Sequence, residues 1–232
     1  GLKWMLNSES PFYIKPRLNR DLIKWGLLFK KSATPSKVDA AAKVLYDLTV
    51  QSQSLYEKIM SEENIEAGYK KPGLLMICKT ESTLQHEIEL VHMAKSFGLD
   101  AEVLSRKETE EMEPNVQYNM AGSVYFGCDA WMTPNVFMRE FKEKLEQAGV
   151  KQLKVDIPLQ AGKGYSFTLP SPVVMPKLPS ILTEGRVATT PMIHGLRIAG
   201  TMEIAGTGLN INERRVQGII KSVKEFMPQF EE

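Results

Sequence analysis

The apolar residues of this chain change their spacing once, near residue 155, and this change limits the folds that are open to it. Up to Gly149, short apolar runs alternate with stretches that repeat every three or four residues, which is typical of amphipathic helices. From about residue 155 to Ile204, short alternating segments separated by turn residues predict strands, and a last helix is predicted over 213–226. Strands grouped between helical segments predict an α+β fold, with an antiparallel or mixed sheet that carries helices on one face.

The same pattern divides the chain into four segments of a single domain, and 232 residues are enough for a substantial core. The segments are helical over 1–65, α/β over 73–149, a sheet over 155–206 and a C-terminal helix over 211–228. The clearest helix begins at Pro35, behind a Thr34 cap, and runs to about Ser61. Strands are predicted over 74–78, 101–104, 122–126, 164–169, 172–175, 186–190 and 196–204.

The three histidines and one glycine cluster are the first candidates for a metal or nucleotide site. His86 and His92 are six residues apart, which is not the i, i+4 spacing that places two imidazoles on one metal ion, and His194 falls in a predicted turn. The cluster Gly206-Thr207-Gly208 lacks the third glycine and the second βα unit of a dinucleotide fingerprint. The sequence therefore predicts no metal ligand and no cofactor-binding residue.

The net charge and the cysteine content limit which partners and which cellular compartment the sequence favours. The formal net charge is +1, so no field of the whole protein favours nucleic acid. The two cysteines, Cys78 and Cys128, form no CxxC pair, and no apolar run reaches the roughly 20 residues that span a bilayer. We therefore expect a cytoplasmic protein that binds a small molecule and no nucleic acid.

Residues 1–32 interleave bulky apolar side chains, including Trp4 and Trp25, with basic ones, including Lys24 and Lys30. This mixture suits a membrane interface, where rings lie among headgroups and cations meet anionic lipid. The alternative is that the apolar residues pack under the long helix that follows, because burial is the commoner fate of Trp and Phe. Both interpretations stay open. Residues 1–32 make peripheral contact with the inner face of the membrane, or their apolar side chains pack against the long helix.

A third candidate site is the stretch 162–169, GKGYSFTL. Glycines on both sides of Lys163 weaken a strand and often mark a close approach of the backbone to a ligand. Tyr165 and Phe167 are predicted to project to one face of the strand, and Ser166 and Thr168 to the other. The alternative is the start of an ordinary edge strand with one buried and one solvated face.

Four stretches of the chain occur in the order in which one enzyme family has them. They are 10–17 (SPFYIKPR) followed by 22–25 (LIKW), 121–126 (AGSVYF) followed by Asp129 and Thr133-Pro134, 158–169 (PLQAGKGYSFTL) and 195–206 (GLRIAGTMEIAG). Together they resemble the substrate-binding domain of FAD-dependent D-amino acid dehydrogenases and of the wider family of amine oxidoreductases similar to D-amino acid oxidase. The resemblance covers most of the chain.

The resemblance implies the substrate-binding part of an oxidoreductase of amino acid catabolism, which oxidatively deaminates D-amino acids by hydride transfer from the substrate carbon to FAD. The protein then aims the C–H bond and excludes water, while the flavin carries out the chemistry. Tyr165 is the best candidate for a hydroxyl that faces the substrate, and no catalytic residue is assigned. Arg197 is either a bidentate partner of a carboxylate or an ordinary solvated arginine. The substrate-binding candidates are Tyr165, Lys163, Ser166, Thr168, Arg197, Met202 and Glu203.

The chain departs from this family in the parts that bind the flavin. It has no Gly-x-Gly-x-x-Gly βαβ unit, and only eight residues separate Gly149 from Pro158, where the family has a further part of its flavin domain. We expect that flavin-binding pieces were removed and that the cut ends were joined near 150–156. The start at Gly1, without an initiator Met, also favours a trimmed sequence. On this interpretation FAD belongs to the full-length enzyme, and the chain alone is expected to bind no FAD and to be inactive.

Two other functions fit the same sequence. One is the substrate domain of another branch of the flavin superfamily, such as a sarcosine or glycine oxidase. The other is a non-enzymatic α+β module that offers its sheet to a protein partner. The long helical segment over 1–65 favours the dehydrogenase branch.

Overall fold

A computed structural model describes residues 20–150, 162–204 and 208–230, together with the backbone of Phe12–Ile14. These residues form six helices and eight strands. The helices are α1 (Arg20–Ser32), α2 (Pro35–Glu62), α3 (Glu81–Ser96), α4 (Arg106–Met112), α5 (Pro134–Gln147) and α6 (Glu213–Phe226). The strands are β1 (Phe12–Ile14), β2 (Leu74–Cys78), β3 (Ala101–Leu104), β4 (Gly122–Phe126), β5 (Lys163–Leu169), β6 (Ser180–Leu182), β7 (Val187–Met192) and β8 (Gly195–Ile204).

Local signals predicted most of these elements correctly. α2, α6 and six of the predicted strands begin and end within two residues of the expected bounds. The capping box of α4 is present: the Ser105 hydroxyl accepts a hydrogen bond from the Glu108 amide, and the Glu108 carboxylate accepts one from the Ser105 amide at 2.7 Å. Pro35 begins α2 as expected, although the Thr34 side chain makes no capping hydrogen bond.

Two of the β predictions need correction. The strand predicted over 172–175 is wrong, and the corresponding strand is β6 further along the chain. Pro172 begins that segment and Pro176 follows it, and proline has no amide hydrogen to donate to a neighbouring strand. The sequence pattern also predicts a hairpin turn at His194-Gly195, and this turn lies one residue earlier: Ile193 and His194 form it, and Gly195 pairs with Met192.

The chain divides into two compact units, one of which contains the helices α1, α2 and α5. This smaller unit consists of 16–70 and 131–157. The larger unit consists of 1–15, 71–130 and 158–232 and contains the whole sheet.

The core of the smaller unit lies where the end of α2 meets α5. Met60, Ile65 and Phe137 are buried there, and the Phe137 ring stacks on that of Phe141 with centroids 5.4 Å apart. α1 contains no buried residue, and α2 buries only Met60. The large apolar side chains that these two helices expose are Ile23, Leu27, Leu28, Phe29, Val38, Val44, Leu45, Leu48, Val50, Leu55 and Tyr56. The apolar stripe predicted for α2 is therefore buried only near its C-terminal end.

All eight described strands belong to one mixed sheet in the larger unit. Across the sheet the order is β5, β8, β7, β6, β2, β4 and β3, and β1 pairs with the C-terminal end of β8, beyond the residues that β7 reaches. The pairs β1–β8 and β6–β2 are parallel, and the other pairs are antiparallel. The prediction of an α+β fold with a mixed sheet is confirmed.

The two faces of the sheet are covered differently. α6 packs on one of them, called here the α6 face, where Ile219 and Val223 meet Val187 and Ile198. On the opposite face α3 covers only β2, β3 and β4, largely through Val91. No described helix of this unit covers the remainder of that face, over β5, β8 and β7, and this region is called the open face. Its half-buried or exposed residues are Ser166, Thr168, Ala188, Thr190, Arg197, Ala199 and Met202.

Candidate functional site

The seven substrate-binding candidates lie on β5 and β8, which are neighbouring antiparallel strands, but they divide between the two faces of the sheet. Residues directly opposite each other in such a pair share a face. Thr168 lies opposite Arg197, and Lys163 lies opposite Glu203. The register places Ser166, Thr168, Arg197 and Met202 on the open face and Lys163, Tyr165 and Glu203 on the α6 face.

The three candidates on the α6 face form one buried polar cluster. The Tyr165 hydroxyl donates a hydrogen bond of 2.5 Å to the Glu203 carboxylate, and both side chains are buried. The Lys163 ammonium lies 3.5 Å from the same carboxylate and donates to the Asn210 carbonyl at 2.8 Å. The Tyr165 hydroxyl is therefore engaged inside the protein by the Glu203 carboxylate.

A fourth member of this cluster, Arg215, was missed by the sequence analysis. It is 1% exposed, and its guanidinium lies over the Tyr165 ring, 5.6 Å from the centroid. One of its nitrogens donates to the Met202 carbonyl at 3.1 Å and to the Thr201 hydroxyl. Helical spacing offers a signal that could have found it, because Arg215 lies one turn before Ile219 on the buried stripe of α6.

Arg215 supports an irregular point in β8. Gly164 pairs with Met202 while Tyr165 pairs with Gly200, so Thr201 is the extra residue of a β-bulge. Thr201 has a φ of +59°, a left-handed conformation that is uncommon for a residue with a branched Cβ. Bulges of this kind often re-aim side chains beside functional sites. The buried cluster therefore fixes the end of β8 that carries Met202.

The open face presents polar groups around a flat centre. Ser166 and Thr168 are exposed, and an Arg197 nitrogen lies 3.4 Å from the Ser166 hydroxyl. Ala188 and Ala199 pair with each other across β7 and β8 and leave only methyl groups on the surface. Met202 is 45% exposed on the same face. Such a surface offers hydroxyl and guanidinium donors next to a flat apolar area, which suits a ligand with both polar and apolar parts.

Where the open face meets α3, it borders a cleft of about 480 Å³. His86 and Glu87 line the cleft from α3, and Arg186 lines it from the turn before β7. The other lining residues are Met76, Leu90, Ile181, Thr183, Ala188 and Ala199. This cleft lies within the larger unit, and one of its lining residues is a buried acid, Glu87.

No histidine of the described chain takes part in a metal site. His86 lies 3.8 Å from Glu89 on the exposed surface of α3, and His194 lies in the turn before β8. Within the described ranges, no three His, Cys, Asp or Glu residues are grouped so that they could hold a metal ion. The cluster 206–208 lies largely outside the described residues.

The described residues do not form a cradle for the phosphates of a dinucleotide. The turn from β2 into α3 points backbone amides outward, as a phosphate-binding turn does. The Glu184 carboxylate occupies this turn, and it accepts hydrogen bonds from the amides of Lys79 and Thr80 at 2.9 Å. Burial opposes ionisation of Glu184, but these amide donors outweigh it and lower the pKa of the carboxyl.

We expect Glu184→Gln to lower the free energy of unfolding by about 1–2 kcal/mol at neutral pH, because it removes a charged cap from the start of α3. The folded-state pKa of Glu184 is below its unfolded value, so its stabilising contribution is present at neutral pH and is lost as the pH falls through the folded-state pKa. Chemical denaturation of both proteins should therefore give curves that converge in acid. A difference that stays constant with pH would contradict this origin.

Comparisons of this chain with known proteins agree on one family. The sequence model of the family described as FAD dependent oxidoreductase matches residues 23–155, more than half of the chain. Curated D-amino acid dehydrogenases from Helicobacter pylori and Granulibacter bethesdensis are 24% and 21% identical, over 99% and 98% of this chain and 66% of each relative. The chain thus spans about two thirds of the length of the curated relatives it matches.

Solved structures show the same fold. Glycine oxidase from Geobacillus kaustophilus superposes with a TM-score of 0.65 at 15% identity, covering 81% of this chain and 64% of that chain. L-proline dehydrogenase from P. horikoshii superposes with a TM-score of 0.62 at 15% identity, covering 77% of this chain and 61% of that chain. At these identities the likeness defines the fold alone.

Proposed function

The chain belongs to the family of FAD dependent oxidoreductases, and on this basis we propose that it is the substrate-binding part of an enzyme that deaminates D-amino acids oxidatively. In this reaction a hydride passes from the substrate carbon to FAD, the cofactor of the family. The names of the relatives, D-amino acid dehydrogenases that match nearly the whole chain, support this choice of substrate.

The observation that carries the proposal is the open face of the sheet. It places Ser166, Thr168 and Arg197 around the flat pair Ala188 and Ala199. These polar groups hold and orient an amino acid, and the apolar pair leaves space for a ring to approach it. The arrangement matches the task of a flavoenzyme's substrate domain, which binds the substrate and leaves the chemistry to the cofactor.

In this proposal the described residues act by orientation and by exclusion of water. The polar groups of the open face fix the substrate so that its C–H bond has one direction. Met202 covers part of the face with an apolar side chain, and it keeps its position because Arg215 holds its carbonyl. Tyr165, Lys163 and Glu203 stabilise the same strand from the α6 face. No proton transfer is assigned to any of these residues.

The decisive experiment is a substrate panel on the FAD-containing enzyme. D-amino acids are expected to bleach the flavin absorbance under anaerobic conditions, and L-amino acids are not. Bleaching by glycine or sarcosine, with rapid reoxidation by oxygen, would favour the glycine or sarcosine oxidase alternative instead. A full-length protein that takes up no FAD at any concentration would be the non-enzymatic module.

We also propose that α1 makes peripheral contact with the inner, cytoplasmic face of a membrane. The described helices include none that is long and apolar enough to cross a bilayer. α1 exposes more than half of the side chains of Ile23, Leu27 and Leu28. Its four basic residues, set against the single acid Asp21, complement anionic lipid. Trp4 and the other residues of 1–19 invoked by the sequence pattern lie outside the residues whose side chains are described.

The membrane proposal predicts that the protein sediments with vesicles that contain anionic lipid and does so less at high salt. Leu27→Ser/Leu28→Ser is expected to weaken this binding roughly tenfold or more, because about 0.8 kcal/mol is lost for each methylene removed from the membrane. Ile193→Ser is the matched control, since Ile193 is 71% exposed on the other unit. Equal binding of both variants, or no sedimentation of the wild type, would refute the proposal.

A further inference from the structure

The stripe of residues through which α3 packs on the sheet contains one acid. Leu84, Val91 and Ala94 are the apolar members of this stripe, and they meet the strands β2, β3 and β4. Glu87 lies on the same stripe, one turn before Val91, and is 5% exposed. Such a position of an amphipathic helix is ordinarily apolar. The contact between α3 and the sheet is therefore built around a group that can carry a charge.

The buried oxygen of Glu87 has nothing to replace the water that it loses. Its Oε2 atom has essentially no exposed surface and accepts no hydrogen bond from any described residue. A carboxylate in such a position loses its hydration, whereas the neutral carboxyl loses much less. Burial accordingly raises the pKa of Glu87, although the charges of His86 and Arg186 lower it in part. Ionisation of Glu87 therefore opposes the packing of α3.

The charged and titratable groups around Glu87 come from three elements. His86 is its neighbour on α3, and Glu184 and Arg186 lie in the turn between β6 and β7. Cys78 ends β2, and its buried thiol responds to the charge of Glu87. Backbone amides at the start of α3 hold Glu184. Of the two carboxylates in this group, Glu87 is thus the one with an oxygen that lacks such donors.

α3 covers a buried thiol and borders the cleft. Side chains alternate along β2, so Met76 and Cys78 share the face on which α3 lies. Cys78 is 0% exposed, and Met76 lines the cleft together with Leu90 of α3. Movement of α3 away from the sheet would therefore expose the thiol and widen the cleft.

We propose that Glu87 makes α3 a proton-sensitive cover of the sheet: the neutral side chain keeps α3 closed over Cys78 and the cleft, and the ionised side chain favours an open form. This device goes beyond the proposed reaction and does not depend on it. The closed form binds the proton more tightly than the open form, so uptake of a proton favours closure. The penalty of ionisation is absent below the pKa of an exposed glutamate, about 4.3. It is complete above the pKa that Glu87 has in the closed form.

Hydrogen exchange of the purified chain measures this opening. We correct for the intrinsic exchange rate and compare the α3 amides with those of the β7–β8 hairpin. Between pH 5 and pH 8 the protection of α3 is expected to fall roughly tenfold relative to the hairpin, since a buried group without a partner carries a cost of this order. In Glu87→Gln the relative protection should stay constant. A wild type in which α3 loses no protection, or loses it together with the hairpin, would overturn the proposal.

Two variants of neighbouring residues on α3 serve as controls. Glu89→Gln removes a carboxylate from the solvent side of the helix, where its side chain is 71% exposed, and should leave the pH dependence as in the wild type. Histidine changes its charge in the same range of pH, so the dependence should also persist in His86→Gln. If it disappears in His86→Gln and persists in Glu87→Gln, His86 is the sensor and the proposal is wrong.

Thiol labelling gives a second readout, and its sign separates opening from electrostatics. In a Cys128→Ser background, Cys78 is the one remaining cysteine of the sequence. Burial raises the pKa of its thiol to about 12, and the negative charge of Glu87 contributes to this rise. Ionised Glu87 would by itself slow the reaction with N-ethylmaleimide, because it disfavours the thiolate. Opening of α3 accelerates the same reaction.

We therefore expect Cys78 to react roughly tenfold faster at pH 8 when Glu87 is present than in Glu87→Gln, and equally fast in both at pH 5. Circular dichroism checks that both proteins are folded at each pH. Equal or slower labelling in the presence of Glu87 at pH 8 would show that its charge acts on the thiol alone, and α3 would not be a proton-sensitive cover.

Discussion

Replacement of Gly195 by alanine is expected to lower the free energy of unfolding by about 4 kcal/mol or more. Gly195 begins β8 with a φ of +128°, which L-residues rarely adopt. A Cβ atom at this position would lie 2.0 Å from the Leu169 carbonyl oxygen and 2.8 Å from the Pro170 Cα atom. Both are backbone atoms, so no change of rotamer relieves the clash. The ends of β5 and β8 must therefore separate.

Thermal or urea unfolding followed by circular dichroism measures this effect, and Gly164→Ala is its control. Gly164 is the second residue of β5 and pairs with Met202 of β8, but a Cβ atom there would meet no heavy atom within 4 Å. We expect a change of no more than about 0.5 kcal/mol for this control. A Gly195→Ala protein as stable as the wild type would mean that β5 and β8 do not pair in this register.

Arg215→Met is expected to cost about 3–5 kcal/mol, close to the cost of breaking other buried charge networks. The change removes the donor to the Met202 carbonyl and to the Thr201 hydroxyl. It also removes the cation over the Tyr165 ring, next to the buried carboxylate of Glu203. The left-handed conformation of Thr201 then loses the contact that holds it.

Arg214→Met is the matched control, since Arg214 is the exposed neighbour of Arg215 on α6. Its effect should stay within about 0.5 kcal/mol, as for most surface substitutions. A second substitution elsewhere in the protein can restore the stability of Arg215→Met. In the FAD-containing enzyme, this second substitution should not restore the KM for the amino acid, because the bulge at Thr201 still lacks its donor. Full recovery of KM along with stability would reduce Arg215 to a purely structural residue.

Signals confined to a few neighbouring residues predicted the fold well. The box formed by Ser105 and Glu108 and the proline at position 35 act within one helical turn, so the sequence alone contains their geometry. The strand predicted at 172–175 was wrong because a continuous apolar run was read as a strand, although Pro172 and Pro176 cannot donate to a ladder, and the strand forms at β6 instead. Prolines at the ends of a short apolar run therefore argue against a strand there.

The candidate site was predicted only in part, because alternation along a strand does not reveal which face is covered. The sequence separated Tyr165 from Ser166 correctly, since neighbouring residues point to opposite faces. It could not tell that α6 would cover the face of Tyr165, because that depends on contacts between β5 and a helix about 50 residues later. The cleft beside Glu87 was missed for the same reason, as its walls come from four separate parts of the chain.

The position of β8 also has a consequence for the order of folding. Its hairpin with β7 closes over the two residues Ile193 and His194, whereas its pairing with β1 joins Phe12 to Met202, 190 positions away (202 − 12). Closing so long a loop costs more chain entropy and comes later than closing a short one. We expect the β7–β8 hairpin to form early and the β1 pairing to complete the sheet last. In hydrogen exchange, the amides shared by β1 and β8 should then open more often than those of the hairpin.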